Sequence, residues 1–111
     1  MNSYQYVNNV LHFDGVALPV LAKEYGTPLY VYSETALTAA YKTYEHAFAA
    51  NQPLICYAVK ANGNLSVLKH FAALGSGFDI VSGGELQRVL AAGGEAGKVI
   101  FSGVGKSRDE I

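Results

Sequence analysis

Ile55-Cys56-Tyr57-Ala58-Val59-Lys60-Ala61-Asn62-Gly63-Asn64 decides how the rest of the chain is read. A short apolar run ends on one lysine and then breaks into a polar turn, the pattern of a buried strand leaving its sheet. Strand side chains alternate faces. Lys60 therefore shares a face with Ala58 and Cys56, while Ile55, Tyr57 and Val59 take the other. Small residues beneath a lysine suit a crowded interior, and bulky ones behind suit packing against helices. The carboxyl end of a buried parallel strand is where α/β folds carry their chemistry. Spacing by itself also fits a plain solvated lysine at a strand end, and both readings stand at this point.

Downstream, Asn62-Gly63-Asn64 opens a helix over 65–74, with Asn64 as N-cap, Gly75 past its end, and Leu65, Leu68, Phe71 and Ala72 as its inward face. A strand over 78–81 follows. Ser82 with Glu85 three residues on is a capping box, and it starts a helix that carries Leu86, Val89 and Leu90. Gly93-Gly94 stops that helix, and 99–102 reads as another strand. Upstream, Leu37, Tyr41, Tyr44 and Phe48 recur at helical steps with Ala36, Ala40 and Ala47, a packed helix face behind a Ser33 cap and ahead of Pro53. Before it, 29–32 reads as a strand, and Pro19 starts a short helix over 20–25 that Gly26 ends. In the loosely alternating residues 1–18, Asp14-Gly15 between Val10–Phe13 and Val16–Leu18 is a hairpin signal. Strand and helix alternating at this short period give parallel βα units. Periodicity does not separate a closed barrel from an open doubly wound sheet.

The totals narrow the class. With 111 residues, half of them hydrophobic, and a net charge of −1, the chain is at most one domain of ordinary globular protein. No basic excess marks a nucleic-acid surface. The start, Met1 to Asn9, is polar and uncharged, unlike a signal peptide. No apolar run approaches the ~18 residues of a membrane helix, so the cytoplasm is the expected compartment. A single cysteine, Cys56, excludes an internal disulfide and a cysteine-cluster zinc site. Gly103-Val104-Gly105-Lys106-Ser107 fails both phosphate-loop patterns, because Ile100 and Arg108 stand where glycines are required. That weakens a nucleotide-binding reading. His12, His46 and His70 have no metal-ligand spacing and read as solvated side chains.

Four blocks carry a family resemblance. Tyr57-Ala58-Val59-Lys60-Ala61-Asn62 resembles the lysine-bearing strand of the fold-type III pyridoxal-phosphate decarboxylases, and Gly77–Leu86 resembles their next strand and turn. Phe101–Ser107 and Gly26–Tyr32 resemble the branch of that family acting on meso-2,6-diaminopimelate to give L-lysine and CO2. The blocks fall in the family's order along essentially the whole chain. The resemblance implies a partial TIM-type (β/α)8 barrel of the alanine racemase kind over residues 28–111, with residues 1–27 contributing to a β-domain. A full barrel takes roughly 250 residues, and Ser107-Arg108-Asp109-Glu110 is a capping box announcing a further helix. The 111 residues are thus expected to be an amino-terminal piece of a larger enzyme, inactive and aggregation-prone by themselves.

The resemblance also implies pyridoxal 5'-phosphate as cofactor, an amino-acid substrate and a homodimer, while the totals above imply no nucleic-acid or membrane partner. Lys60 is implied as the amine that attacks the cofactor aldehyde, which requires its unprotonated form. Burial at the barrel mouth would favour that form by desolvation. Asp79 interrupts an apolar strand, and a carboxylate there needs a partner. Lys60 is the candidate the resemblance supports, while backbone or water at a strand edge is the other. Ser102, at the end of its strand, would face cofactor or substrate. Glu85 stands near the site in the wider family, but its capping box already accounts for it. Lys106 reads as a loop cap. Other decarboxylases of the family (ornithine, arginine, carboxynorspermidine), an alanine-racemase-like enzyme, and a non-catalytic barrel serving as an interaction module remain as alternatives.

Overall fold

Among the described residues, 3–111 of a computed structural model, six strands and four α-helices follow one another. Met1 and Asn2, which open the polar start read above, lie outside the described residues. The chain divides into two compact units, residues 1–43 and 44–111.

The first unit is an antiparallel meander: β1 (Tyr4–Val7), β2 (Val10–Phe13) and β3 (Val16–Ala17), in that order. Asp14 and Gly15 both take positive φ, 47° and 80°, so the expected hairpin turn is formed. Asn8 and Asn9 do the same at 49° and 62°, giving β1–β2 a turn that the sequence reading did not single out. Tyr4 faces Phe13 across the ladder with their rings stacked 4.4 Å apart. Helix α1 (Leu18–Tyr25) packs against β2 and β3 with Pro19 in its first turn, and Gly26, at φ 81°, closes it by donating to Ala22 O at 2.9 Å.

Residues 29–32 depart from expectation. Ladder hydrogen bonds define a strand, and among the described residues no strand pairs with this segment. Ser33 caps α2 (Glu34–Ala47) as read: its hydroxyl accepts from the Ala36 N–H at 2.9 Å and donates to the Asp14 carboxylate. The apolar face read along α2 is only partly packed. Tyr41 is buried, but Tyr44 and Phe48 are 61% and 50% exposed.

The second unit is a parallel sheet, β4 (Cys56–Ala58), β5 (Gly77–Ile80) and β6 (Val99–Phe101), with α3 (Leu65–Ala73) and α4 (Gly83–Ala91) in the crossovers. Its register aligns Tyr57 with Phe78 and Val99, and Ala58 with Asp79 and Ile100. Phe78, Ile80, Val59, Leu68 and Val89 are no more than 1% exposed and form the core, each contributing roughly 1.5–3 kcal/mol over the exposed state. On α3 the inward face is Val67, Leu68 and Phe71; Leu65, expected inside, is 46% exposed, and on α4 Leu90 is 48% exposed. The α/β class and βαβαβ order match a partial (β/α)8 barrel.

Candidate active site at the carboxyl end of the parallel sheet

Small residues and one acid line the face of the parallel sheet turned away from its apolar core. Cys56, Ala58, Gly77, Asp79 and Ile100 alternate onto it. Close approach demands glycine at 77, where a Cβ would stand 2.6 Å from Lys98 O and 2.7 Å from Cys56 Sγ. This face is the more open one: Ile100 is 52% exposed, against 0% for Phe78. Burial, and then the nearby Asp79 charge, push the Cys56 thiol up from its ordinary range.

Lys60 stands at the carboxyl end of β4, but not on the strand itself. Pairing ends at Ala58, and Val59–Ala61 form a 3₁₀ turn that leads toward α3. The strand is thus shorter than the reading 55–60, because the chain turns as soon as the Ala58–Asp79 pair is made. Val59 anchors the turn at 1% exposed, whereas Lys60 itself is exposed. The burial expected of this lysine is not supplied by the described residues.

Asp79 sits in the middle of β5, half-buried, with its Oδ1 closed off from solvent and without a hydrogen-bond partner among the described residues. The expected ion pair with Lys60 is not made. An orphaned buried carboxylate oxygen costs roughly 1–3 kcal/mol or more, and such atoms in a native fold call for a function or a ligand. Ser102 lies one residue past β6, exposed, its N–H donating to Ile80 O at 3.0 Å. Alternation from Ile100 sets it on the same face as Asp79. The sheet therefore gathers the three expected residues toward one end, with no hydrogen bond or ion pair among them.

The capping residues meet half of the expected pattern: the Ser82 hydroxyl caps as read, while Glu85 reaches one residue further back than the N-cap. Ser82 Oγ accepts from the Glu85 N–H at 3.2 Å, and Glu85 Oε2 accepts from the Val81 N–H at 2.7 Å. Ser107 and Glu110 make the full reciprocal exchange, at 2.9 Å for the Ser107 N–H and 3.3 Å for the Glu110 N–H. Glu110 adds a longer reach, its Oε1 accepting from the Gly83 N–H at 3.0 Å, at the start of α4. Those donors, Ser107 N–H first, hold its carboxyl below the usual glutamate range. Lys106 donates to Gly103 O at 2.8 Å and lies over the Phe101 ring, a loop cap as read.

Several contacts escaped the sequence reading. Tyr57 donates from its hydroxyl to Asn62 O at 3.2 Å, and Arg88 Nη1 donates to Gly63 O at 3.2 Å, fastening the turn after Lys60 to α4. Asn62 Nδ2 is buried without a partner among the described residues. Tyr57 and Asn62 lie within the lysine motif itself, which was the available signal. Arg88 is 25 residues from Gly63, and no local pattern points to it. Among the described residues no group of three His, Cys, Asp or Glu side chains could hold a metal ion, and no helix is long and apolar enough to cross a membrane.

Comparison with known proteins gives this end of the sheet a context. Residues 34–111 match the pyridoxal-binding domain of the pyridoxal-dependent decarboxylases. A diaminopimelate decarboxylase of Neisseria meningitidis serogroup B is 70% identical over 91% of this chain, which covers 24% of that protein. Among solved structures, a protein from Aquifex aeolicus superposes with a TM-score of 0.92 at 44% identity, over 97% of this chain and 27% of its own. The diaminopimelate decarboxylase of M. jannaschii in complex with L-lysine superposes with a TM-score of 0.93 at 34% identity, over 98% and 26%. The chain spans about a quarter of the length of these relatives.

Proposed function

The chain belongs to the pyridoxal-dependent decarboxylases, and from that premise we propose that it forms part of an enzyme converting meso-2,6-diaminopimelate to L-lysine and CO2. Lys60 is the amine that holds pyridoxal 5'-phosphate through the cofactor's aldehyde. When bound, the cofactor supplies an electron sink for the pair left behind as carbon dioxide departs. The observation that carries the reading is the pairing of a reachable lysine with a buried, unpartnered carboxylate oxygen, Asp79 Oδ1, at one end of one sheet. The residues fit the cofactor: a primary amine free of any ion pair among the described residues, an acceptor wanting a donor, and a face kept low by Gly77.

In this reading each residue has a defined task. With the cofactor bound, Lys60 would be the residue that holds its aldehyde and, once released, would carry a proton at Nζ. Closure of the site around that nitrogen favours its neutral form by excluding water. Asp79 Oδ1 accepts a hydrogen bond from a protonated nitrogen beside it, holding that proton in line. Ser102 offers a hydroxyl from the neighbouring strand to cofactor or substrate. Residues 1–27 join a β-domain and 28–111 open the barrel. A homodimer is carried over from the family resemblance, while a cytoplasmic location without nucleic-acid or membrane partners rests on the balanced charge and the lack of a long apolar run.

The test is Lys60→Ala in a full-length enzyme carrying these residues. The visible absorption of lysine-bound cofactor should vanish, and decarboxylation of meso-diaminopimelate should fall on the order of 10³-fold or more, as for other lost nucleophiles. Persistence of that absorption would sink the assignment. A substrate panel with ornithine, arginine and carboxynorspermidine beside diaminopimelate reads the specificity directly.

A further inference from the structure

Lys60 is placed by its turn alone. Among the described residues its side chain makes no hydrogen bond or ion pair, and four rotatable carbons lie between the backbone and the amine. What fixes the turn is therefore what fixes the point from which the amine reaches out. Tyr57, three residues earlier, donates its hydroxyl proton to the Asn62 carbonyl oxygen at 3.2 Å and so bridges the segment from strand to turn exit, with Lys60 inside the bridge. The Tyr57 ring cannot drift, since it stacks on Phe71 of α3 at 4.2 Å between centroids and 17° between planes, and Phe71 is only 6% exposed.

The far side of the turn is tied as well. Asn62 Oδ1 accepts from the Asn64 N–H at 3.0 Å, and Asn64 Oδ1 in turn accepts from the Ser66 N–H at 2.9 Å as the cap of α3. The first of these bonds also settles which end of the Asn62 amide is oxygen. Helix α3 thus holds both ends of the Lys60 segment, one through a ring stack and one through its cap.

We propose that the Tyr57 hydroxyl is a positioning residue that straps the Lys60 turn into the geometry needed for condensation with the cofactor aldehyde. The inference rests on the assignment of Lys60 given above. In the step it governs, the Lys60 nitrogen bonds to the aldehyde carbon, and the aldehyde oxygen leaves as water with the two amine protons. Tyr57 touches neither cofactor nor substrate in this scheme, so its loss changes the rate at which the amine reaches the aldehyde and leaves cofactor affinity alone.

The experiment uses the apo form of a full-length enzyme carrying these residues, mixed with pyridoxal 5'-phosphate while the visible band grows. Tyr57→Phe keeps the ring and its stack and removes the hydroxyl. The first-order rate at saturating cofactor should fall about fivefold, the factor matched by one ordinary hydrogen bond, with the half-saturating concentration unchanged. Hydrogen exchange at the amides of residues 60–62 should quicken by a similar factor while β5 does not change. An unaltered rate overturns the proposal, and so does a slowed rate with β5 exchange quickened too, which would mean general loosening. Lys60→Ala, run in parallel, separates the two levels: a band that still forms there brings down the lysine assignment itself, whatever Tyr57→Phe does.

Discussion

Residues 3–43 and 44–111 each contain a three-stranded sheet, yet they bury themselves very differently. The five largest fully buried side chains, Phe78, Leu68, Ile80, Val59 and Val89, all belong to the second unit. In the first, β1 is exposed along its whole length, α1 buries no residue, and Tyr6 and Val20 are 74% and 56% exposed. Connection type explains the contrast. An antiparallel meander is drawn together by two-residue turns, Asn8-Asn9 and Asp14-Gly15, and needs no core to set its register. Parallel strands require crossovers, and the helices of those crossovers bring the core with them. The site end of the parallel sheet is thus carried on a scaffold that is packed from within, which is what holding a lysine and a carboxylate in place demands.

The sharpest way to break this comparison is Phe78→Ala. Phe78 is 0% exposed, lies in the central strand, and aligns with Tyr57 and Val99 on the helix-covered face. Truncation should cost about 3–5 kcal/mol, read as a lowered urea midpoint with unchanged slope. A loss below about 1 kcal/mol would show that the parallel unit has no core of its own. Next in size is Ser82→Ala, which removes the acceptor for the Glu85 N–H and should cost about 1 kcal/mol, with Ser82→Asp restoring most of it. Equal stability of the alanine variant would mean that Glu85 alone secures the start of α4.

Legibility followed the same division. Features set by a few neighbouring residues were readable: the Asp14-Gly15 turn, the Ser33, Asn64 and Ser82 caps, the strand–helix alternation, and the lysine motif. Features set by distant partners were not. The 29–32 segment has strand composition but no pairing strand among the described residues, and composition cannot report that. Periodicity assigned Tyr44, Phe48 and Leu65 inward, yet they are 61%, 50% and 46% exposed, because a stripe says which residues share a side and not whether anything covers it. At the candidate site the placement of Lys60, Asp79 and Ser102 toward one end of the sheet was legible, while the position of Lys60 in a turn was not. The strand's end is fixed by its ladder with Gly77–Asp79, some twenty residues on in sequence.

The smallest expected effect tests the exposed half. Tyr6 lies opposite Leu11 in the β1–β2 ladder and is 74% exposed, so little apolar area is lost when it is shortened. Tyr6→Ser should change stability of these residues by no more than about 0.5 kcal/mol, since only a weak cross-strand pair is given up. The same substitution in a full-length enzyme reads a different quantity. A cost of about 2 kcal/mol or more there would mean that the open face of the meander is covered by chain beyond these residues, because burying a ring of this size carries that much apolar transfer energy. An equally small change in both settings would mean that the meander keeps its face in water, and that the contrast between the two sheets persists in the whole protein.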